Sequence, residues 1–209
     1  MTVSRNQKKR LKSTIQTIFF LFWLTAIGTG IWNLARYANE PGQQALPPAD
    51  FPSIGISGDP AKPVLVMLAH PRCPCTRASL VQLSELMARH GANLNAFVLF
   101  YQPSSEDAGW SRGELWQMAE DIPHVTVRAD FDAAATRLLG AHTSGQTLVY
   151  SAQGKLIFKG GITAGRGHSG ENSGRRAIEE LLEKGSTEKK SSFVFGCAIT
   201  GDEIVAENR

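Results

Sequence analysis

From Ile15 to Leu34 the chain reads IQTIFFLFWLTAIGTGIWNL, about 20 residues without a charge, which at ~1.5 Å per residue is enough to cross a ~30 Å hydrocarbon core. A soluble fold would have to cover Phe19, Phe20, Phe22 and Trp23 on all sides of one helix. Residues 15–36 therefore read as a single transmembrane anchor. Arg5, Lys8, Lys9, Arg10 and Lys12 precede the run and only Arg36 follows it closely, so the positive-inside bias keeps residues 1–14 in the cytoplasm and places the rest of the chain outside. A cleaved signal peptide shares this polarity, but its apolar region is typically ~7 to 15 residues and ends in a small-x-small site. This run is longer and closes on Trp32, Asn33 and Leu34, so an uncleaved signal-anchor is expected.

The anchor also decides how the charge is read. The chain carries 22 Lys+Arg and 19 Asp+Glu, a net charge of +3, yet six of the basic residues and none of the acidic ones lie within the first 39 positions. The remainder is mildly acidic, which argues against nucleic acid as a partner, since phosphate contacts need a clustered basic face. Three Cys are too few for a Cys-only iron–sulfur cluster, and no Cys-x-x-Cys-His haem motif occurs. Residues 37–59 are rich in Pro and Gly and have no helical or strand period, so they read as a linker giving the domain reach from the bilayer.

Val64 to Ala69 (VLVMLA) is a continuous apolar run, the pattern of a strand buried on both faces. HPRCPC follows, and then a segment from Thr76 to His90 in which Leu80, Leu83, Leu86 and Met87 keep helical spacing, with Gly91 as the stop. The order is strand, cysteine turn, helix. Leu94–Tyr101 reads as a second strand, parallel to the first. Glu114–Ile122 reads as a helix ended by Pro123, Val125–Ala129 as a short strand, and Phe131–Leu139 as a helix stopped by Gly140. QTLVYSAQGKLIFKGG makes a hairpin turning at Ser151–Gly154, and Arg175–Lys184 makes a closing helix. After a polar stretch, SSFVFGCAIT in the tail 186–209 has the composition of a strand.

Residues 60–185 resemble the thioredoxin-like superfamily in its membrane-anchored, exported branch. The likeness rests on VLVMLAHPRCPCTRASLVQLSELM and on DFDAAATRLLGAHTSGQTLVYSAQGKLIFKGGI, and the HPRCPCTRAS stretch is most similar to a group of bacterial membrane-bound proteins labelled RedB. The fold this implies is α/β, a central sheet flanked by helices with the cysteines at the N-terminus of the first long helix after the anchor. The place it implies is the inner (cytoplasmic) membrane, with the domain in the periplasm or outside. Its partners are then protein thiols or disulfides. Two departures stand out. The family's usual Cys-x-x-Cys is replaced by Cys73-Pro74-Cys75, with Arg72 in the position of the first Cys. Where the family commonly places a cis-proline facing the cysteines, this chain has Thr143-Ser144-Gly145-Gln146-Thr147.

The chemistry expected of the turn is thiol–disulfide exchange, with Cys73, Cys75 and Cys197 as the candidate catalytic residues. A helix N-terminus lowers thiol pKa, and Arg72 and Arg77 stand to add positive charge, so the expected shift at Cys73 and Cys75 is downward. A bridge between residues two apart needs a bent chain, which Pro74 helps supply, and a strained bridge is labile and oxidising rather than a structural staple. No cofactor is required for this chemistry. The rival reading is copper: soft thiolates select copper(I) or zinc, His70 lies three residues before Cys73, and His142 or His168 would supply a distant ligand. Cys197 is read as a small buried hydrophobe, a thiol with a partner elsewhere, or the resolving thiol of a three-thiol relay. The six-glycine loop Gly160–Gly174 with Arg166 and His168 matches neither phosphate-binding spacing and reads as a flexible rim to the site. Trp110 and Trp116 read as packing residues before a partner surface.

Overall fold

The structure is a computed structural model, and it describes residues 5–200, with side chains from residue 10 onward. The first four residues of the basic N-terminus and the last nine of the tail lie outside the described residues. The chain divides into two units, residues 1–39 and residues 40–209. The first contains one helix, α1 (Arg5–Asn39), which between Arg10 and Asn39 is long and apolar enough to cross a membrane. The basic residues from Arg5 onward are thus part of the helix itself. Phe19, Phe20, Phe22 and Trp23 are exposed on it.

The second unit is built on five strands: β1 (Val64–Ala69), β2 (Asn95–Gln102), β3 (Val125–Phe131), β4 (Gln146–Tyr150) and β5 (Leu156–Gly160). Their order across the sheet is β3-β2-β1-β4-β5. The first three run parallel, with Val66 opposite Phe97 and Val98 opposite Val127, and β4 and β5 run antiparallel, with Val66 opposite Leu148 and Leu148 opposite Lys159. This is a mixed sheet of the kind the resemblance implies, and β1 is its central strand. Because side chains alternate along a strand, Leu65, Met67 and Ala69 point to one face and Val66 and Leu68 to the other, and all five are buried.

On the first face lie α2 (Pro74–His90), α3 (Glu114–Glu120) and α5 (Ser173–Lys184), burying Leu80, Leu83, Leu86, Met87, Leu115, Trp116 and Ile178. Gly91 is not a left-handed stop for α2. It keeps right-handed helical angles and leads into a short 3-10 turn over Gly91–Asn93. Asn172 caps α5 by accepting from the Arg175 N–H at 2.8 Å, and Gly185 closes it in the left-handed conformation.

The second face is covered differently. Among the described residues the only helix there is α4 (Ala134–Leu138), shorter than the periodicity of FDAAATRLL predicts. β3 continues through Phe131, and Asp132 and Ala133 take positive φ, so the helix begins only at Ala134. Buried Asp130 fixes this geometry by accepting from the Ala135 and Thr136 N–H groups and from the Thr136 hydroxyl. The rest of the face is closed by the segment before β1, which does not hang free as a tether. Leu46 N–H donates to Gly140, Phe51 N–H to Gly154, and Leu156 N–H to Ala49. Ala45 is buried, and the Phe51 ring meets the Tyr150 ring edge-on at 4.9 Å. The tail 191–200 is not a strand either. It makes single bridges, Ser191 with Lys159 and Ala198 with Thr143, and buries Val194 and Ile199.

Candidate active site at the cysteine turn

The C-terminal end of β1 delivers the chain to His70, and the turn closes when the Cys73 N–H donates to the His70 carbonyl at 3.1 Å. Cys73 is the N-cap of α2 in an extended conformation (φ −87°, ψ 115°), and Pro74 takes the first helical position, where its missing N–H costs nothing and its fixed φ suits the helix. Cys75 follows in the first turn. Both are buried, with 1% of Cys73 and 7% of Cys75 exposed. The resemblance implies this placement, and the sequence pattern of strand, turn and helix leads to it independently.

Cys197 comes to the same point from the other end of the domain. Its main-chain N–H lies 3.4 Å from the Cys73 Sγ, and the three sulfurs lie within 4.8 Å of one another. All three are free thiols, and Cys197 is the most exposed of them. The tail is held there by main-chain bonds: Ser144 N–H donates to the Cys197 carbonyl and Ile199 N–H to the His142 carbonyl. Gly196 permits the approach, because a Cβ on it would stand 2.0 Å from the Ser144 carbonyl oxygen.

Ser144 joins the parts of the site. Its Oγ accepts from the His70 N–H at 2.8 Å and lies 2.7 Å from the Thr76 hydroxyl, while its N–H holds the tail. Sequence reasoning noted only that residues 143–147 lack the expected proline. A hydroxyl standing in that place was the available signal for Ser144, and nothing local pointed to Thr76.

The electrostatics separate the thiols. Burial pushes the Cys73 thiol up, but hydrogen bonding from Cys197 and Thr76 outweighs it, and the net direction is down. Cys75 moves up, against expectation: burial raises it, the neighbouring Cys73 raises it further, and Arg166 with the Gly167 N–H only partly offsets this. Burial and the two neighbouring thiols push Cys197 up to about 12. The arginines nearest in sequence do not supply the local charge. Arg77 pairs with Glu114 at 2.7 Å and Arg72 lies over the Trp110 ring at 4.5 Å. Arg166 does, from the glycine-rich loop, with its guanidinium donating to the Gly196 carbonyl.

No histidine joins the sulfurs. The His70 Nδ1 accepts from the Arg72 N–H at 3.1 Å, its ring packs 5.7 Å from Trp110 and 6.0 Å from Tyr101, and burial, then Arg72, lowers its pKa. His142 contributes its carbonyl to the tail, and the exposed His168 ring lies 2.9 Å from the Arg166 carbonyl. Among the described residues, the group able to hold a soft metal is the three cysteines alone.

No family model matches the chain, and no curated protein sequence matches it significantly. Among solved structures it is similar to an uncharacterized conserved protein from Geobacillus kaustophilus, at 16% identity and a TM-score of 0.56 over 79% of this chain and 94% of that one. It is also similar to a hypothetical protein from Sinorhizobium meliloti 1021, at 19% identity and a TM-score of 0.52 over 78% of this chain and 96% of that one. A secreted disulfide oxidoreductase of Mycobacterium tuberculosis aligns at 14% identity and a TM-score of 0.42, over 59% of this chain and 82% of that one. At these identities the likeness is one of fold.

Proposed function

We propose that this protein is a membrane-anchored, extracytoplasmic thiol–disulfide oxidoreductase of the RedB-like kind, acting on protein thiols or disulfides through its Cys-Pro-Cys turn. The observation that carries the reading is the setting of Cys73: a thiol at the N-cap of α2, biased toward the thiolate, with a second thiol in contact from a distant part of the chain. A thiolate beside a partner thiol is what disulfide exchange requires, and a structural staple has no use for a depressed pKa. The anchor supports the location, since five basic residues precede the apolar run and one follows it.

Two measurements test this. Equilibrating the full chain with glutathione buffers of graded ratio and counting free thiols should show a two-electron transition; three thiols free at every ratio overturns the reading. A reporter fused after Arg209 should be active only outside the cytoplasm, and a product that fractionates without the membrane overturns the anchor.

A copper(I) chaperone or sensor is the second reading, favoured by the cluster itself, since three soft sulfurs with no fourth ligand among the described residues suit copper(I) better than four-coordinate zinc. Tight one-to-one copper(I) binding, lost with any one cysteine and indifferent to His70, His142 and His168, together with undetectable exchange, selects it.

A further inference from the structure

The oxidoreductase reading leaves open which two thiols bridge and which sulfur meets the substrate. We infer that the exchangeable disulfide joins Cys73 to Cys197, and that a substrate thiol attacks it at Cys197, the tail-borne sulfur, with Cys75 outside the bridge. The inference rests on the oxidoreductase reading and goes beyond it in assigning the bond and the direction of attack.

Three geometric observations support it. The first is access: Cys73 and Cys75 lie under the surface at 1% and 7% exposure, whereas Cys197 is partly open. The second is the state of the neighbouring edge. The main chain at 142–144 is already engaged, with Ser144 N–H and the His142 carbonyl both bonded to the tail, so an extended substrate chain finds no free edge beside Cys73. The third is freedom to close the bond. Cys75 is fixed in the first turn of α2, where the Thr76 N–H donates to the Cys73 carbonyl, and a bridge between residues two apart would strain that turn. Cys197 sits on an irregular segment outside any helix or strand, so rotation of its side chain with a small main-chain adjustment brings its sulfur, already within 4.8 Å of the Cys73 Sγ, to the ~2.05 Å of a disulfide.

The chemistry then runs in two displacements. A substrate thiolate attacks the Cys197 sulfur; a bond forms between them as the Cys197–Cys73 bond breaks, and the electron pair leaves on Cys73. Cys73 is the better leaving group of the pair, because its thiolate is favoured while that of Cys197 is disfavoured. A second substrate thiolate attacks the substrate sulfur of the mixed disulfide and expels Cys197, which takes up a proton. The substrate dithiol has lost two electrons and become a disulfide, the protein bridge has gained them, and of the two substrate protons one stays on Cys197 and one goes to water. An external disulfide such as glutathione disulfide restores the bridge by the reverse steps.

The test uses the full chain in detergent, oxidised with glutathione disulfide and digested without reduction. Cys73 and Cys75 share the short peptide between Arg72 and Arg77, so fragmentation across Pro74 must locate the link. The expected result is a Cys73–Cys197 bridge with Cys75 free to alkylate, and limiting reduced glutathione should then leave its adduct on Cys197. Cys197→Ser and Cys73→Ser should each lower the exchange rate by about a hundredfold or more. A bridge that includes Cys75, or a glutathione adduct on Cys73 or Cys75 of the bridged protein, overturns this inference and leaves the oxidoreductase reading standing. No bridge and no adduct at any ratio overturns both.

Discussion

The two faces of the sheet are equally buried and built by opposite means. On one, three helices lay Leu80, Leu83, Leu86, Leu115, Trp116 and Ile178 against the odd-numbered side chains of β1. On the other, one short helix, the segment before β1 and the tail cover Val66, Leu68, Leu148 and Tyr150 without regular structure of their own. A helix satisfies its own main chain, so its sequence need only supply a stripe of apolar residues. An irregular segment has to find partners for its N–H and C=O groups far away in the chain, as Leu46 does at Gly140 and Ser144 does at Cys197. The reactive turn belongs to the helical face and the third thiol to the irregular one.

If this division is real, mutations on the two faces should differ in cost. Leu83 is fully buried among helical neighbours that cannot close over a void, so Leu83→Ala should cost about 3–5 kcal/mol in unfolding of the detergent-solubilised chain. Asp130→Ala should cost about 2–3 kcal/mol, because it removes a charged acceptor from two main-chain N–H groups and a hydroxyl at once. Phe51→Ala should cost only about 1–2 kcal/mol, since the ring is half-buried on a segment free to settle. A cost for Phe51→Ala equal to that for Leu83→Ala would erase the distinction between the faces.

The same division explains what could be read from the sequence. Strands β1, β2, β4 and β5, helices α2 and α5, and the hairpin turn at Ser151–Gly154 all follow from local period and turn chemistry. The placement of Cys73 and Cys75 at a helix start is likewise local, set by Pro74 and the leucines beyond it. Cys197 is not local: 124 positions separate it from Cys73, and no periodicity in FVFGCAIT announces its neighbour. The prolines of the segment before β1 are true breakers of regular structure, but breaking a helix or strand does not prevent docking. The arginines misled for a geometric reason. Arg72 and Arg77 are near the cysteines in sequence, yet the turn and the first turn of α2 aim them at Trp110 and Glu114, while Arg166 arrives from a loop with no spacing relation to the site.

The smallest effect concerns pH, and it separates the faces by titration. Tyr150 and Cys197, both on the irregular side, are each pushed up to about 12, Tyr150 by burial alone. A group whose folded pKa lies above its unfolded value, about 10 for tyrosine and about 8.5 for cysteine, contributes stability that is complete below the unfolded value and is lost as pH rises toward the folded one. Both losses therefore fall in the window from about 8.5 to 12. Cys73 has the opposite sign: its contribution is complete above the ordinary thiol value and disappears as pH falls through its lowered one. Alkaline pH should thus loosen the segment before β1 and the tail while leaving α2 and α5 in place. Cys197 is partly open to solvent screening, and Tyr150 begins to lose its contribution only near pH 10, so the expected shift in melting temperature is only about 1–2 °C between pH 8 and 10. Hydrogen exchange corrected for intrinsic rates resolves it better: protection at Leu46, Phe51, Ser144 and Ile199 should fall with rising pH before protection along α2 does. In Cys197→Ser the loss at Ser144 and Ile199 should shrink while that at Phe51, which answers to Tyr150, should not. Uniform loss across both faces, or an unchanged pattern in the variant, would mean that the irregular face unfolds only with the whole domain.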